Sequence, residues 1–99
     1  QSQLILDPGF GFGKTLKHNY QILSQFNDFA QFGLPLLAGL SRKSMIGNLL
    51  DRDTENRLAG SLAGALIAAQ NGAHIIRVHD VKETADVLGV YQACKQGVL

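Results

Sequence analysis

The sequence predicts an α/β fold made of three consecutive βα units with parallel strands. Three short stretches, at 4–7, 36–41 and 74–79, combine strand-forming residues with a polar end, and a helix signal follows each of them. Alternating strands and helices with short connections predict a parallel sheet with right-handed crossovers. Such sheets occur mainly in doubly wound folds and in (β/α)₈ barrels, and both bind ligands at the carboxyl ends of the strands.

The first unit joins the strand at 4–7 to an amphipathic helix. Thr15 can cap this helix, and Gly33 can end it. Apolar residues recur between them every three or four positions, which is the period of a helix with one buried face. These residues are Leu16, Tyr20, Leu23, Phe26 and Ala30.

The second unit carries two helices after the strand at 36–41. Ser41 stands at the N-cap position of the first, and Thr54 can cap the second, which ends at Asn71 and Gly72. The second helix holds many small residues, although a glycine inside a helix costs about 1 kcal/mol relative to alanine. We expect tight packing of this helix on the sheet, with a dimer interface as the alternative. The small residues are Ala59, Gly60, Ala63, Gly64 and Ala68.

The third unit follows the strand at 74–79. Asp80 and Glu83 have the spacing of a capping box, and Gly97 marks the end of the helix that they open. The strand period of two places Arg77 and His79 on one face of the strand and His74 on the other.

The composition limits the classes of function. The chain has 99 residues, 45% of them apolar and 17% charged, with a net charge of +1, which describes a globular chain and argues against nucleic-acid binding. The uncharged stretch from Leu58 to Ile76 contains polar residues and glycines, so we expect no membrane span.

The lack of a secretory signal at the start and the single Cys94 favour the cytoplasm and exclude an internal disulfide. Because the chain starts without Met and almost in a strand, we expect a fragment of a longer protein.

The glycine-rich segment at 7–15 does not have the spacing of a nucleotide-binding loop. A P-loop would need glycine where Pro8 stands, and a dinucleotide fingerprint starting at Gly9 would need glycine or alanine in place of Lys14. The segment instead offers the Asp7 carboxylate at a strand end, which could accept hydrogen bonds from a guanidine-like ring edge. The alternative for Asp7 is a turn before Pro-Gly.

Two phenyl rings follow Asp7 in this loop. Phe12 could pack against an aromatic ligand, but core packing is the interpretation that this segment alone favours for both Phe10 and Phe12.

Two cations and two hydroxyls lie at 41–44, where a strand ends and a helix starts. Exposed main-chain N–H groups favour an anion at such a place. A carboxylate could bind at Ser44, and Lys43 could donate to a ligand carbonyl or ring nitrogen. A capped helix with solvated side chains is the alternative, and Arg42 is expected to be structural because it points away if Lys43 points inward.

Arg77 and His79 form a second candidate cluster, because a guanidinium can stack on a flat heterocycle and bind phosphate oxygens, and an imidazole adds a donor. His74 and His18 are expected to be structural and solvent-facing, respectively. The sequence offers no nucleophile with an adjacent base, so any chemistry would depend on positioning and charge stabilisation. No zinc spacing of Cys or His is present.

Three motifs in order make the chain resemble the dihydropteroate synthases. They are Leu-Asp-Pro-Gly-Phe-Gly-Phe-Gly-Lys at 6–14, Ser-Arg-Lys-Ser at 41–44 and Gly-Ala-His-Ile-Ile-Arg-Val-His-Asp-Val at 72–81. The resemblance implies that residues 1–99 form the C-terminal part of a pterin-binding (β/α)₈ TIM barrel, its sixth to eighth βα units. It also implies a transferase of folate biosynthesis that condenses 6-hydroxymethyl-7,8-dihydropterin diphosphate with p-aminobenzoate to give 7,8-dihydropteroate and pyrophosphate.

The resemblance also implies roles for individual residues. Lys43, Arg77 and His79 would be the catalytic residues. The substrate-binding set would be Asp7, Phe12, Gly39, Lys43, Ser44, Arg77 and His79. Mg²⁺ would be bound mainly by N-terminal residues of the family that this chain lacks, with no metal ligand in the chain itself. Sulfonamides would compete with p-aminobenzoate, and the parent protein would be a homodimer.

Two other readings remain open. One is a pterin-binding protein like the methyltransferases that pass a methyl group from methyltetrahydrofolate to a corrinoid, although the motifs at 41–44 and 77–79 argue against it. The other is a non-catalytic assembly fragment. Barrels of this kind usually need roughly 250 residues, so we expect the 99-residue chain alone to be inactive.

Overall fold

The structure, a computed structural model, describes residues 7–10, 15–33 and 35–97. In chain order its elements are α1 (Leu16–Ser24), a 3₁₀ helix (Phe26–Phe32), β1 (Leu37–Ala38), α2 (Ser44–Leu50), a 3₁₀ turn (Thr54–Asn56), α3 (Leu58–Gln70), β2 (Ile75–Ile76) and α4 (Val81–Gln96). The predicted strand at 4–7 lies outside the described residues except for its last position. Among the helices of the described ranges, none is long and apolar enough to cross a membrane.

The two described strands are parallel neighbours joined by a helical crossover, as predicted. The paired residues are Leu37 with Ile75 and Ala38 with Ile76. Each strand has two residues, which is shorter than the predicted stretches at 36–41 and 74–79. After β1 the chain turns, with the Lys43 N–H donating to the Leu40 carbonyl over 3.1 Å. The polar residues of both stretches therefore lie in loops that leave the carboxyl ends of the strands.

The helix after Thr15 starts as predicted but ends early. The Thr15 hydroxyl accepts the His18 N–H over 3.1 Å, which confirms the cap. The α-helix ends at Ser24, however, and a 3₁₀ helix covers most of the remaining stretch to Gly33. A 3₁₀ helix has three residues per turn, so Phe26 and Phe29 fall on one side of it, with ring centroids 6.1 Å apart.

The hydrophobic core joins α1, the 3₁₀ helix, the β1 strand with its flanks, α2 and α3. Its buried members are Phe10, Leu23, Phe26, Leu36, Ala38, Leu40, Met45, Ile46 and Ala68. The Phe10 and Phe26 rings stack at 6.1 Å between centroids, so the predicted core role of Phe10 is confirmed. The stack anchors the segment that follows Asp7 to the rest of the chain.

The small residues of α3 permit close packing within this chain. A Cβ at Gly60 would overlap the side chain of Ile46 in α2, and a Cβ at Gly64 would overlap that of Leu40, just after β1. Helix-on-sheet packing, the alternative that we favoured, is therefore confirmed for Gly64, and Gly60 packs on α2. Ala59 is exposed.

Two predicted N-caps, Ser41 and Thr54, are wrong. Lys43, not Ser41, precedes α2, and Thr54 opens a 3₁₀ turn that precedes the α3 helix. Asp80 is the N-cap of α4, as predicted, but its side chain makes no cap bond, so the capping box with Glu83 does not form. The Ser41 hydroxyl and the Asp80 carboxylate do not cap helices because they bond to residues far away in the sequence, as described below.

The predicted ends of α3 and α4 are correct. Asn71 is the C-cap of α3, and Gly72 follows it with φ of +98°. Gly97 is the C-cap of α4 and has a left-handed conformation, which glycine adopts without steric cost.

Candidate functional site

Charged groups from three loops meet beyond the carboxyl ends of the strands. Asp7 lies in the first loop, Lys43 follows β1, and Arg77 and His79 follow β2. Parallel strands bring their carboxyl ends to one edge of the sheet, which is where barrels and doubly wound folds bind ligands. The structure thus places four of the predicted site residues in loops at this edge of the sheet, and we call these four residues the charged cluster.

Asp7 and Arg77 form a long, exposed ion pair. The Arg77 Nη1 atom lies 3.8 Å from Asp7 Oδ2, with 59% and 41% of the side chains exposed. The other carboxylate oxygen of Asp7 accepts the Gly9 N–H over 3.0 Å, so the turn that we considered as an alternative for Asp7 is also present. An exposed pair of this kind contributes about 0–1 kcal/mol, and a ligand with its own donors can therefore replace the Asp7–Arg77 contact at little cost.

Gly39 lies directly against the Arg77 guanidinium. A Cβ on Gly39 would fall 2.7 Å from Cζ and 2.9 Å from Nε of Arg77. The main chain also connects the two loops, because the Arg77 N–H donates to the Ala38 carbonyl over 2.9 Å. Glycine at 39 therefore leaves room for the guanidinium beside the end of β1.

Lys43 points from the second loop towards the first. Its Nζ donates to the Phe10 carbonyl over 2.8 Å, and the Phe10 ring is buried in the core. This geometry agrees with an inward Lys43 and an outward Arg42, as expected. It also places an ammonium group beside the loop that carries Asp7.

The Ser41 hydroxyl organises His79. Its Oγ lies 3.1 Å from His79 Nδ1 and accepts the His79 main-chain N–H over 3.3 Å. Ser41 is buried, with 9% of its surface exposed, whereas His79 is exposed. When the hydroxyl donates to Nδ1, the proton of the neutral imidazole sits on Nε2, where it can be donated to a ligand.

Arg42 has the structural role that we expected. Its Nη2 lies 2.6 Å from Asp80 Oδ1, and its Nε donates to Asp80 Oδ2 over 3.2 Å. The hydrogen bond from Arg42 lowers the pKa of the Asp80 carboxyl, and the same hydrogen bond raises the pKa of Arg42. This two-point pair is shorter and less exposed than the pair of Asp7 and Arg77.

The remaining predicted residues lie as follows. Phe12 lies outside the described residues. Ser44 is the first residue of α2 and is exposed. His18 is exposed, as predicted, and His74 Nδ1 accepts the Leu36 N–H over 3.0 Å, which is a structural role. Within the described ranges, no three His, Cys, Asp or Glu side chains come together as metal ligands.

Several cavities of the described structure lie elsewhere. One of about 550 Å³ lies between α3 and α4 and is mostly apolar. Its lining residues are Leu66, Gln70, Asp86, Val87, Val90, Tyr91 and Cys94. It shares no residue with the charged cluster, so the chemistry of the side chains, not cavity size, marks the candidate site.

Comparison with known proteins agrees with this chemistry. Residues 1–79 match the family of pterin binding enzymes. The chain belongs to this family. The dihydropteroate synthases of Haemophilus influenzae and Escherichia coli K12 are each 60% identical to it over 93 residues, which are 94% of this chain. These residues are only 34% and 33% of the two relatives, so the chain spans about a third of their length.

Solved structures of dihydropteroate synthases have the same fold over the matched part. The enzyme of Vibrio fischeri ES114 is 62% identical with a TM-score of 0.91, covering 93% of this chain and 34% of that one. A Yersinia pestis enzyme in complex with a sulfonamide drug is 53% identical with a TM-score of 0.94, covering 97% of this chain and 35% of that one. The predicted resemblance and the predicted partial (β/α)₈ barrel are confirmed.

The sequence patterns gave Ser41 a wrong local role and did not predict the distant bonding partners of Ser41 and Asp80. Ser41 was predicted as an N-cap and Asp80 as part of a capping box, but they bond to His79 and Arg42, both 38 positions away. Only the expectation that the strand ends meet could have suggested these pairs.

Proposed function

We propose that this chain forms one side of the active site of a dihydropteroate synthase. The reaction would condense 6-hydroxymethyl-7,8-dihydropterin diphosphate with p-aminobenzoate to give 7,8-dihydropteroate and pyrophosphate. The observation that carries this proposal is the weak, exposed pair of Asp7 and Arg77 beside Lys43 at the carboxyl ends of the strands. Family membership and relatives named dihydropteroate synthase support it.

The pterin would replace the contact between Asp7 and Arg77. The carboxylate would accept hydrogen bonds from the amino and ring N–H groups of the pterin. The Lys43 ammonium would donate to the pterin carbonyl and a ring nitrogen. The Arg77 guanidinium, free to turn its flat face to the ligand, would stack on the heterocycle. Each group satisfies a different part of one flat, polar ring system.

The departing pyrophosphate would interact with Arg77 and His79. Loss of this leaving group leaves a resonance-stabilised pterin cation, which the amine of p-aminobenzoate attacks. Rate enhancement would then come from positioning and from stabilising negative charge on the leaving group, not from a general base. Ser44 would contact the p-aminobenzoate carboxylate, and Phe12 would line that pocket, where sulfonamides would compete.

Other parts of the proposal concern residues beyond this chain. Mg²⁺ would assist the departure of pyrophosphate and, as the family resemblance implies, would be bound mainly by residues outside this chain. We also propose a cytoplasmic, homodimeric parent protein. The 99-residue chain alone would be inactive, because it spans about a third of its relatives.

A chimera tests the proposed activity. The matched segment of the Escherichia coli enzyme is replaced by this chain, and dihydropteroate formation is measured with labelled p-aminobenzoate. We expect activity in the chimera, a loss of at least about 100-fold in kcat/KM with Lys43→Ala or Arg77→Ala, and no loss with the exposed control Lys82→Ala. A folded chimera without product would overturn the assignment. Product from the 99-residue chain alone would overturn only the proposed inactivity.

A further inference from the structure

Arg42 is held by three residues from two other parts of the chain. Its main-chain N–H donates to the Ser61 hydroxyl over 2.8 Å, and its carbonyl accepts from Arg57 Nη1 over 2.9 Å. Its guanidinium makes the two bonds to Asp80 described above. Ser61 is buried within α3, so these contacts join the loop after β1 to α3 and to the start of α4.

The backbone at Arg42 needs this support. Its φ is +57°, a left-handed conformation that residues other than glycine seldom adopt. This conformation turns the chain between Leu40 and Lys43, where the Lys43 N–H donates back to Leu40. The direction in which Lys43 leaves the turn therefore depends on how Arg42 is held.

The same contacts reach His79. Ser41 precedes Arg42 and bonds to His79, and Asp80, the partner of Arg42, follows His79. Two peptide linkages and two sets of side-chain bonds thus close a ring of four residues. The ring ties the loop after β1 to the loop after β2 at the point where Lys43 and His79 project.

We propose that Arg42 and Asp80 are positioning residues, whose ion pair closes this ring and fixes the placement of Lys43 relative to His79. The inference rests on the proposed function, since it assigns Lys43 and His79 to the pterin and to pyrophosphate. Arg42 and Asp80 act through these neighbours and do not touch the substrate. The planar fork of Arg42 matters as well as its charge, because two parallel bonds fix direction as a single ammonium contact cannot.

The test uses Arg42→Lys, Asp80→Asn and the double variant in the chimera. We expect each single variant to lower kcat/KM for the pterin diphosphate about tenfold and to weaken pyrophosphate binding, measured by calorimetry, by a similar factor. The double variant should resemble either single one, because both remove the same contact. Asp86→Asn, an exposed carboxylate on α4, is the matched control and should change neither quantity.

The outcomes distinguish a positioning role of Arg42 and Asp80 from a role in stability alone. A lower urea midpoint with kcat/KM and pyrophosphate affinity within twofold of the unsubstituted chimera would overturn the inference, and so would losses that add up in the double variant. If the unsubstituted chimera binds pyrophosphate but forms no product, the proposed function fails and the binding data still decide on positioning. If it binds no pyrophosphate, both ideas are wrong.

Discussion

The close contact between Gly39 and Arg77 makes Gly39→Ala the sharpest test of the candidate site. Gly39 is buried and its φ is not in the left-handed range, so its backbone accepts alanine. The new methyl group would lie 2.7 Å from Arg77 Cζ. Since carbon atoms in contact are separated by about 3.5–4.0 Å, the guanidinium must move by roughly 1 Å.

This displacement should affect function far more than stability. The Arg77 side chain is 59% exposed and can move into solvent, and alanine reduces the freedom of the unfolded chain. We expect the free energy of unfolding to stay within about 1 kcal/mol of the unsubstituted value. A shift of about 1 Å at a group that positions substrate can cost up to about 100-fold, so we expect kcat/KM for the pterin diphosphate to fall by about 10- to 100-fold.

The assay is dihydropteroate formation by the chimera, with urea unfolding measured in parallel. Gly89→Ala is the matched control, because a Cβ at Gly89 meets nothing within 4 Å and its helix, α4, lies outside the charged cluster. The control should be slightly stabilised and fully active. If Gly39→Ala has the kcat/KM of the unsubstituted chimera within twofold, the guanidinium is not held over Gly39 for function, and the reasoning is wrong.

Three further predictions concern stability and are measured by urea unfolding of the chimera. Gly64→Ala should lower the free energy of unfolding by about 1–2 kcal/mol, because overpacking against the buried Leu40 outweighs the gain in helix propensity; a gain like that of Gly89→Ala would contradict this. Asp80→Asn should destabilise at pH 7 and progressively less as the pH falls below about 4, since the contact with Arg42 that lowers the carboxyl pKa stabilises the fold only while that carboxyl is ionised; an equal effect at pH 3 and pH 7 would refute it. Tyr20→Phe should cost about 1 kcal/mol, because the phenol, whose pKa burial raises, donates to a main-chain carbonyl of α2 over 2.8 Å, whereas no change would show that this bond contributes nothing.

The order of the elements follows from sequence patterns because those patterns are local. The Thr15 cap, the stop at Asn71 and the αL glycine at 97 each depend on a few neighbouring residues. The 3₁₀ helix after α1 was not predictable from the apolar spacing, since a period between three and four fits both helix types. Tertiary packing distinguishes the two helix types here, because Phe26 stacks on the Phe10 ring in the core.

The cluster of charged residues was predictable from topology, but its pairings were not. Parallel strands bring Lys43 and His79 to one edge whatever the details of the loops. Whether Ser41 caps a helix or bonds to His79 depends on which donor is nearest in space. His79 is 38 positions away in the sequence, so local patterns do not indicate this pairing. A hydroxyl or carboxylate near the start of a helix fits the sequence pattern of an N-cap whether it caps that helix or bonds to a distant residue.

The two ion pairs at the strand ends show that the presence of an arginine does not by itself reveal the role of that residue. Arg42 makes a short, two-point contact with Asp80, so displacing either partner would leave the other partly buried charge without its bonds. Arg77 makes one contact of 3.8 Å with Asp7, and water already reaches both side chains. A ligand can separate only the second pair at little cost. The shorter, less exposed pair therefore belongs to the scaffold, and the longer one is the pair that we propose the substrate separates. The strength of a contact alone does not rank residues by their importance for function.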